Sequence, residues 1–186
     1  MDRENDPASA ALLAPLDALT RGFELPDLAQ PASGVAVEST AELRQGFCVG
    51  DLALMIRYQD GSNLTDLPAT RRLPNTPHWF VGMTNLNGAL IPVFDLAAYL
   101  GADRSPPARP MLLVLGHGAD AAGVVIDGLP QRLRFEATDR MLDAPIPAAF
   151  AGCVAATCWA AECNWMDLQV DALLQNLCDE LAGAAS

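Results

Sequence analysis

The chain has 186 residues, a mass of 19.7 kDa and a formal net charge of −12. That length suits one ordinary domain or two small sub-domains, and 51% hydrophobic against 18% charged residues excludes disorder as the main state. The acidic balance argues against a partner with a phosphate backbone, so no nucleic acid is expected, and an anionic membrane surface would repel the chain.

The first 45 residues differ from the rest and are predicted to form an N-terminal extension, partly helical or disordered. Leu12, Leu16 and Leu19 have helical spacing, but Pro15 permits only a short or broken helix. The pattern fits either a mobile tail or a helix that docks on a partner or on the body of the protein. The charged start and the lack of a long apolar run predict a cytoplasmic protein without direct membrane insertion.

From Gly46 onward the pattern is that of short strands joined by turns. Alternating apolar residues predict a strand over residues 52–58. Asn87-Gly88 lies between two apolar runs and predicts a hairpin, because both residue types tolerate positive φ. Further short strands are predicted over residues 111–115 and 123–126 and around Leu133 and Phe135.

The end of the chain is predicted to be helical. An apolar stripe recurs mostly at steps of three and four, which is typical of an amphipathic helix, and comprises Leu168, Val170, Leu173, Leu174, Leu177 and Leu181. Asp167 precedes this stripe, and we expect its side chain to cap the helix.

A duplicated unit of about 70 residues is also indicated. Phe80 and Phe150 each follow a proline-rich approach and precede a glycine by two residues, and they lie 70 residues apart. Asp95 and Asp167, each followed by leucine, lie 72 residues apart, and each is expected to cap the turn or helix that follows it. Two related halves made of short strands predict two small barrels rather than one sandwich.

Residues that could carry catalysis are scarce. The chain has no lysine, no Gly-x-Ser-x-Gly motif and only two histidines, His78 and His117, both in predicted loops. We therefore expect no catalytic residues and no cofactor, and predict a protein that is not an enzyme.

The cysteines support one alternative from another class of protein. Cys153, Cys158 and Cys163 recur every five residues, which is not a zinc spacing, so no metal site is predicted. Cys158 and Cys163 could face each other across a hairpin and act as a small cytosolic thiol redox pair. Buried cysteines acting as small hydrophobes are the favoured interpretation.

Four blocks of sequence, taken in order, resemble the CheW family of bacterial chemotaxis coupling proteins. They are Pro-Asn-Thr-Pro at 74–77, Gly-Met-Thr-Asn-Leu-Asn-Gly at 82–88, Ile-Pro-Val-Phe-Asp-Leu at 91–96 and Gly-Val-Val-Ile-Asp-Gly at 123–128. The resemblance runs from residue 46 to about 181, so a CheW-like domain is expected over residues 46–186. Trp79 and the N-terminal extension also resemble PilI, the branch that serves type IV pilus twitching motility.

The resemblance implies a mainly β fold with two small SH3-like five-stranded barrel sub-domains and a C-terminal helix. It implies a non-enzymatic adaptor that couples the cytoplasmic tip of chemoreceptors to the regulatory domain of a CheA-like histidine kinase. Such an adaptor would be cytoplasmic and recruited to membrane receptor arrays. The receptor tip is expected in an apolar groove between the sub-domains, a helix-in-groove mode of binding.

Two departures from the family pattern qualify this expectation. The family's Asn-Leu-Arg-Gly is Asn-Leu-Asn-Gly at residues 85–88, and Asn87 lacks the charge and donors of arginine. Gly-Ser-Asn-Leu at 61–64 stands where Val-x-Glu-Val is expected. A diverged paralogue with a structural role in the array and weak coupling is therefore a second hypothesis.

Candidate partner-binding residues follow from the resemblance. The proposed partner surface comprises Gly82, Asn85, Leu86, Asn87 and Gly88. The proposed groove comprises Leu54, Ile56, Met111 and Leu113. The competing interpretations are that the two glycines serve turns and that the four apolar residues belong to the core.

Overall fold

The structure is a computed structural model that describes residues 41–101, 109–141 and 144–184. The strands are β1 Glu42–Val49, β2 Leu52–Arg57, β3 Gly61–Asp66, β4 Phe80–Leu86, β5 Ala89–Phe94, β6 Pro110–Leu115, β7 Ala122–Asp127, β8 Gln131–Phe135, β9 Arg140–Met141, β10 Val154–Ala160 and β11 Cys163–Leu168. The helices are α1 Leu96–Tyr99 and α2 Val170–Ala184. The predicted helix or tail over residues 1–40 lies outside the described residues. Residues 42–45, expected to belong to the extension, are part of β1.

The described strands form two sheets. Sheet 1 has the order β8-β1-β2-β11-β10-β9, and sheet 2 has the order β3-β6-β7-β5-β4. The prediction of a mainly β protein with two sub-domains and a C-terminal helix is confirmed. Sheet 2 has the five strands expected, and sheet 1 adds to its five the two-residue strand β9.

The sheet order reveals how the two halves of the sequence are combined. In sheet 1 the hairpin β1–β2 lies beside β11 in parallel, with Ala53 opposite Trp165. In sheet 2 the hairpin β6–β7 lies beside β5 in the same way, with Gly123 opposite Val93. Each half of the sequence therefore contributes its first hairpin to the sheet that the other half completes. The two sheets interlock along the chain, because sheet 2 is inserted between β2 and β8.

The two aspartates that match in the repeat have different roles. Asp95 caps α1 as predicted, since its Oδ1 accepts hydrogen bonds from the backbone N–H groups of Ala97 at 3.0 Å and Ala98 at 3.2 Å. The prediction that Asp167 caps the C-terminal helix is wrong. Asp167 lies inside β11, where Arg44 donates to both carboxylate oxygens at 3.0 Å, and the helix begins later, at Val170.

The largest core cluster joins the two sheets and the apolar face of α2. It includes Phe47, Phe80, Phe94, Phe150 and Leu173. Each sheet also has a smaller cluster on its other face, around Trp165 in sheet 1 and Leu112 in sheet 2. This packing explains the thoroughly apolar β6 and β7, which are buried on both faces.

A side-chain hydrogen bond ties the two sheets together at one end. Asp127, the acid of the Gly-Val-Val-Ile-Asp-Gly block, accepts from the backbone N–H of Gly50 in the β1–β2 turn at 2.6 Å. The block thus supplies both a buried strand and a link between sub-domains.

Candidate functional site

The β4–β5 hairpin forms an exposed tip on sheet 2. Asn87 and Gly88 have φ values of 50° and 89°, as the predicted Asn-Gly turn requires. Asn85 Oδ1 accepts a hydrogen bond from the backbone N–H of Gly88 at 3.0 Å, which holds the turn. Asn85, Asn87 and Gly88 are all exposed, so the structure brings these three predicted residues together on one surface.

The sequence reasoning missed an apolar residue at this tip. Leu90 is 66% exposed directly after the turn, whereas the predicted Leu86 is half-buried and packs against the small core cluster of sheet 2. The signal was the alternation across the hairpin: Leu90 pairs with Asn85, an exposed position, so its side chain shares that exposed face. We define the hairpin tip as Asn85, Asn87, Gly88 and Leu90.

Gly82 is buried and has a structural role. Its φ is 137°, and an added Cβ would lie 2.4 Å from the backbone oxygen of Arg71. Arg71 pairs with Met83 through two backbone hydrogen bonds of 2.8 and 2.9 Å, so the segment before β4 crosses over this glycine. Only glycine allows that close approach.

The four residues predicted to line a groove are core residues. Leu54, Ile56, Met111 and Leu113 are between 0% and 5% exposed and belong to the cluster that joins the sheets. Alternation correctly assigned Leu54 and Ile56 to one face of β2, but the second sheet covers that face. None of the four side chains is available to a partner in this structure.

The same face of sheet 1 becomes exposed further along. Leu43 in β1 and Tyr58, just after β2, are 40% and 46% exposed. They line a cavity of about 560 Å³ together with Arg57 and Arg132. We call these four residues the β1–β2 face. By alternation, Leu43 and Tyr58 continue the face of Leu54 and Ile56. Arg132 and Arg57, which forms an ion pair with Asp60, add basic groups to the cavity.

The cysteines do not form a reactive pair. Burial raises the pKa of the Cys158 thiol, and the nearby Asp167 carboxylate raises it further, so the thiolate is disfavoured. Cys158 lies opposite Trp165 and Cys163 opposite Ala160, which makes the two cysteines diagonal neighbours with Cα atoms roughly 7–8 Å apart. That separation exceeds the span of an unstrained disulfide.

Other chemistry is also sparse in the described part of the chain. No three His, Cys, Asp or Glu side chains among residues 41–101, 109–141 and 144–184 are placed to hold a metal ion. The His78 ring nitrogen Nε2 lies 3.1 Å from the Ala98 carbonyl oxygen, so this nitrogen is engaged in a contact with the main chain of α1. No helix in these residues has the length and apolar character needed to cross a membrane.

Comparison with known proteins decides the family. The family model of the CheW-like domain matches residues 46–177 of this chain. The chain belongs to the CheW-like domain family. The crystal structure of the scaffolding protein TtCheW from Thermoanaerobacter tengcongensis superposes with a TM-score of 0.60 at 16% identity, covering 69% of this chain and 88% of that one. This likeness supports the two-sub-domain CheW fold.

Relatives of this CheW-like chain include a PilI protein and CheW chemotaxis proteins. Protein PilI of Pseudomonas aeruginosa is 30% identical over 98 residues, or 52% of this chain and 54% of PilI. The probable chemotaxis protein CheW of Rhizobium etli is 28% identical over 84 residues, covering 45% of this chain and 54% of its own length. The chain thus spans about half the length of these two relatives. The chemotaxis protein CheW of Helicobacter pylori is 27% identical over 113 residues, covering 59% of this chain and 68% of its own length.

Proposed function

We propose that this CheW-like chain is a non-enzymatic adaptor that couples chemoreceptors to a CheA-type histidine kinase, in chemotaxis or in type IV pilus motility. The observation that carries the proposal is the hairpin tip, where the family's Asn-Leu-x-Gly block forms an ordered, solvent-facing turn. The adaptor acts in the cytoplasm and joins membrane arrays through its partners. It needs no cofactor.

The kinase regulatory domain is the proposed partner of the hairpin tip. Leu90 offers an apolar anchor that is 66% exposed, and the amides of Asn85 and Asn87 surround it with hydrogen-bonding groups. Interfaces use such an arrangement, an apolar centre with a polar rim. The turn is held by the Asn85–Gly88 hydrogen bond, so little conformational entropy is lost when a partner binds.

Asn87 sets the strength of this proposed contact. Arginine at this position would add a fixed positive charge and five donors, whereas asparagine offers one amide. The backbone already adopts a left-handed φ of 50° here, so Asn87→Arg changes chemistry at a position whose conformation is held by the turn. We expect Asn87→Arg to strengthen kinase binding.

Calorimetric titration tests this proposal with the regulatory domain of the CheA-like kinase from the same cell. Native binding at micromolar strength, about −8 kcal/mol, is expected of a working adaptor. Ala161→Arg is a matched control, since Ala161 has the same φ of 50° at the corresponding turn position of the β10–β11 hairpin. It should leave the affinity unchanged.

The remaining outcomes separate the alternatives. Binding by Asn87→Arg alone would identify a diverged paralogue whose coupling contact has been lost, with a structural role in the array. Binding by neither form, or equal gains from Asn87→Arg and Ala161→Arg, would refute the assignment of the hairpin tip to the kinase.

We propose the β1–β2 face as the contact for the receptor tip. Leu43 and Tyr58 form an apolar strip that a partner helix can cover, and Arg57 and Arg132 flank it. Tyr58→Ala should weaken binding to a receptor-tip fragment in the same calorimetric assay. Leu73→Ala is the control, because Leu73 is equally exposed, at 47%, and does not line this cavity. An equal loss from both variants would refute the placement.

A further inference from the structure

Two arginines of strand β8 lie on the same side of sheet 1 as the β1–β2 face. In the antiparallel pairing of β1 with β8, Leu43 lies opposite Arg134 and Gln45 lies opposite Arg132. Side chains of directly paired residues point to the same side of a sheet, so both guanidinium groups share the side of Leu43. Leu133 between them points to the other side, where it is buried in the smaller core cluster of sheet 1. Strand β8 therefore extends the β1–β2 face with two cations.

The charge of Arg132 is not neutralised within the described part of the chain. Arg132 is exposed, and no carboxylate of the described residues forms an ion pair with it. The neighbouring cations differ in this respect, since Arg44 pairs with Asp167 and Arg57 with Asp60. Guanidinium groups form strong, charge-assisted hydrogen bonds with carboxylates. Arg132 is therefore available to pair with an acidic group of a partner.

The cavity over the β1–β2 face has a local charge opposite to that of the whole chain. Acidic residues outnumber basic ones by 23 to 11 in the sequence. The cavity lining contains three arginines and no acidic residue, and it consists of Leu43, Arg44, Arg57, Tyr58, Gln59 and Arg132. Exposed charges interact mainly within about 10 Å at ordinary salt, so these arginines outweigh the distant acidic residues for a group that lies on this surface. The surface is complementary to an acidic partner.

The apolar part of this surface distinguishes a protein partner from a simple anion. Leu43 is 40% exposed and Tyr58 is 46% exposed, and they form a strip beside the arginines. A phosphate group or a nucleic-acid backbone would pair with the arginines but would leave this strip uncovered. An amphipathic helix covers both parts, with its apolar stripe on the strip and acidic residues along one flank.

The two arginines of β8 set the spacing of the acidic residues. Arg132 and Arg134 are two positions apart in a strand, which separates their Cα atoms by about 6.6 Å. Residues four positions apart in a helix are separated by a rise of about 6.0 Å and lie on the same face. Two acidic residues at positions i and i+4 of a helix that runs along β8 therefore meet the two arginines in register.

We propose that the β1–β2 face, together with Arg132 and Arg134, binds a partner helix whose apolar stripe is flanked by acidic residues at positions i and i+4. The inference rests on the proposed function, which assigns this face to the receptor tip, and it adds the chemistry by which the partner is selected. Arginine–carboxylate pairs confer this selection because the planar guanidinium donates two parallel hydrogen bonds to one carboxylate.

Two synthetic helical peptides of about 20 residues test the proposal on the full chain. They share one leucine stripe, and its flank carries glutamate pairs at i and i+4 in the first peptide and glutamine at the same positions in the second. Calorimetry should show that the glutamate peptide binds about fivefold more tightly, the ratio for two exposed ion pairs. In ¹⁵N nuclear magnetic resonance, the backbone amides of Leu43 and Arg132 should shift. Equal affinities, no binding of either peptide, or shifts confined to other residues would overturn the proposal.

Arg132→Gln and a matched control locate the charge effect. Arg132→Gln should reduce the preference for the glutamate peptide to about twofold, since one ion pair remains. Arg109→Gln removes the same charge from an exposed arginine outside the cavity and should leave the preference unchanged. Equal losses from both variants would indicate an effect of net charge and would overturn the site. Binding of phosphatidylserine vesicles that Arg132→Gln abolishes, without discrimination between the peptides, would assign the arginines to a membrane surface and would also overturn it.

The receptor-tip fragment separates this inference from the proposed function. If the fragment does not bind but the glutamate peptide keeps its preference, the acidic-helix inference stands and the receptor contact is refuted. If the fragment binds the native chain and Arg132→Gln equally, and the two peptides bind equally, the receptor contact stands and the acidic-helix inference is refuted.

Discussion

Replacing Ala161 with glycine should stabilise the protein. Ala161 has a φ of 50°, and a left-handed conformation costs an L-residue about 1–2 kcal/mol that glycine avoids. Glycine loses more conformational freedom on folding, which returns about 0.5–1 kcal/mol. The Ala161 side chain is exposed in the turn, so its removal opens no cavity. The net gain in the free energy of unfolding is about 0.5–1 kcal/mol.

The control is the same substitution where the backbone is extended. Ala89 is exposed at the start of β5, paired with Leu86 in the corresponding hairpin. Ala89→Gly relieves no left-handed strain, so it should lower the free energy of unfolding by about 0.5–1 kcal/mol. The two substitutions are thus expected to have opposite signs.

Thermal unfolding followed by circular dichroism measures both variants. For a chain of this size, 1 kcal/mol corresponds to roughly 2–4 °C in Tm. Ala161→Gly should therefore raise Tm by a few degrees. A fall in Tm similar to that of Ala89→Gly would show that the turn carries no strain and would refute the reasoning.

Three further predictions concern stability. Gly82→Ala should destabilise the fold by about 3 kcal/mol or more, since the added Cβ would lie 2.4 Å from the Arg71 carbonyl oxygen. Urea unfolding measures this change, and a loss of unfolding free energy below about 1 kcal/mol would contradict it. Asp167→Asn should cost about 3 kcal/mol by leaving the largely buried Arg44 without its bidentate partner, again by urea unfolding; a neutral result would mean that solvent replaces the pair. Burial and the hydrogen bond to the Glu180 carboxylate raise the pKa of Tyr99. The stabilisation of the fold that comes from this shift is therefore complete below pH about 10 and is lost as the pH rises through the folded pKa. Tyr99→Phe should flatten the alkaline part of the curve of unfolding free energy against pH, and an unchanged curve would contradict this.

Local features of the chain were predictable where residue chemistry acts over a few positions. The Asn87-Gly88 turn and the Asp95 cap both formed as expected, because each depends on neighbours within three residues. Strand β3 was missed, since Gly61–Asp66 lacks an apolar alternation. It forms by pairing with β6, where Leu64 lies opposite Leu113. The local sequence does not predict this pairing.

Long-range partners decided the cases that local chemistry could not. Asp167-Leu168 resembles Asp95-Leu96, yet Asp167 is engaged by Arg44, which lies 123 residues away in the chain. Likewise, Leu54 and Leu43 are both apolar strand residues on one face of the β1–β2 hairpin. The structure buries Leu54 completely and leaves Leu43 40% exposed, so the exposed residue is the one that a partner can reach.

By itself, the sequence determined the strands with clear alternation, the Asn87-Gly88 turn, the Asp95 cap, the repeat of about 70 residues and the resemblance to the CheW family. These follow from backbone preferences and side-chain periodicity, which act locally. The tertiary structure alone decided that the two halves exchange their first hairpins and which apolar faces are covered. Periodicity assigns a side chain to a face of its strand, but only packing against distant strands determines what that face meets.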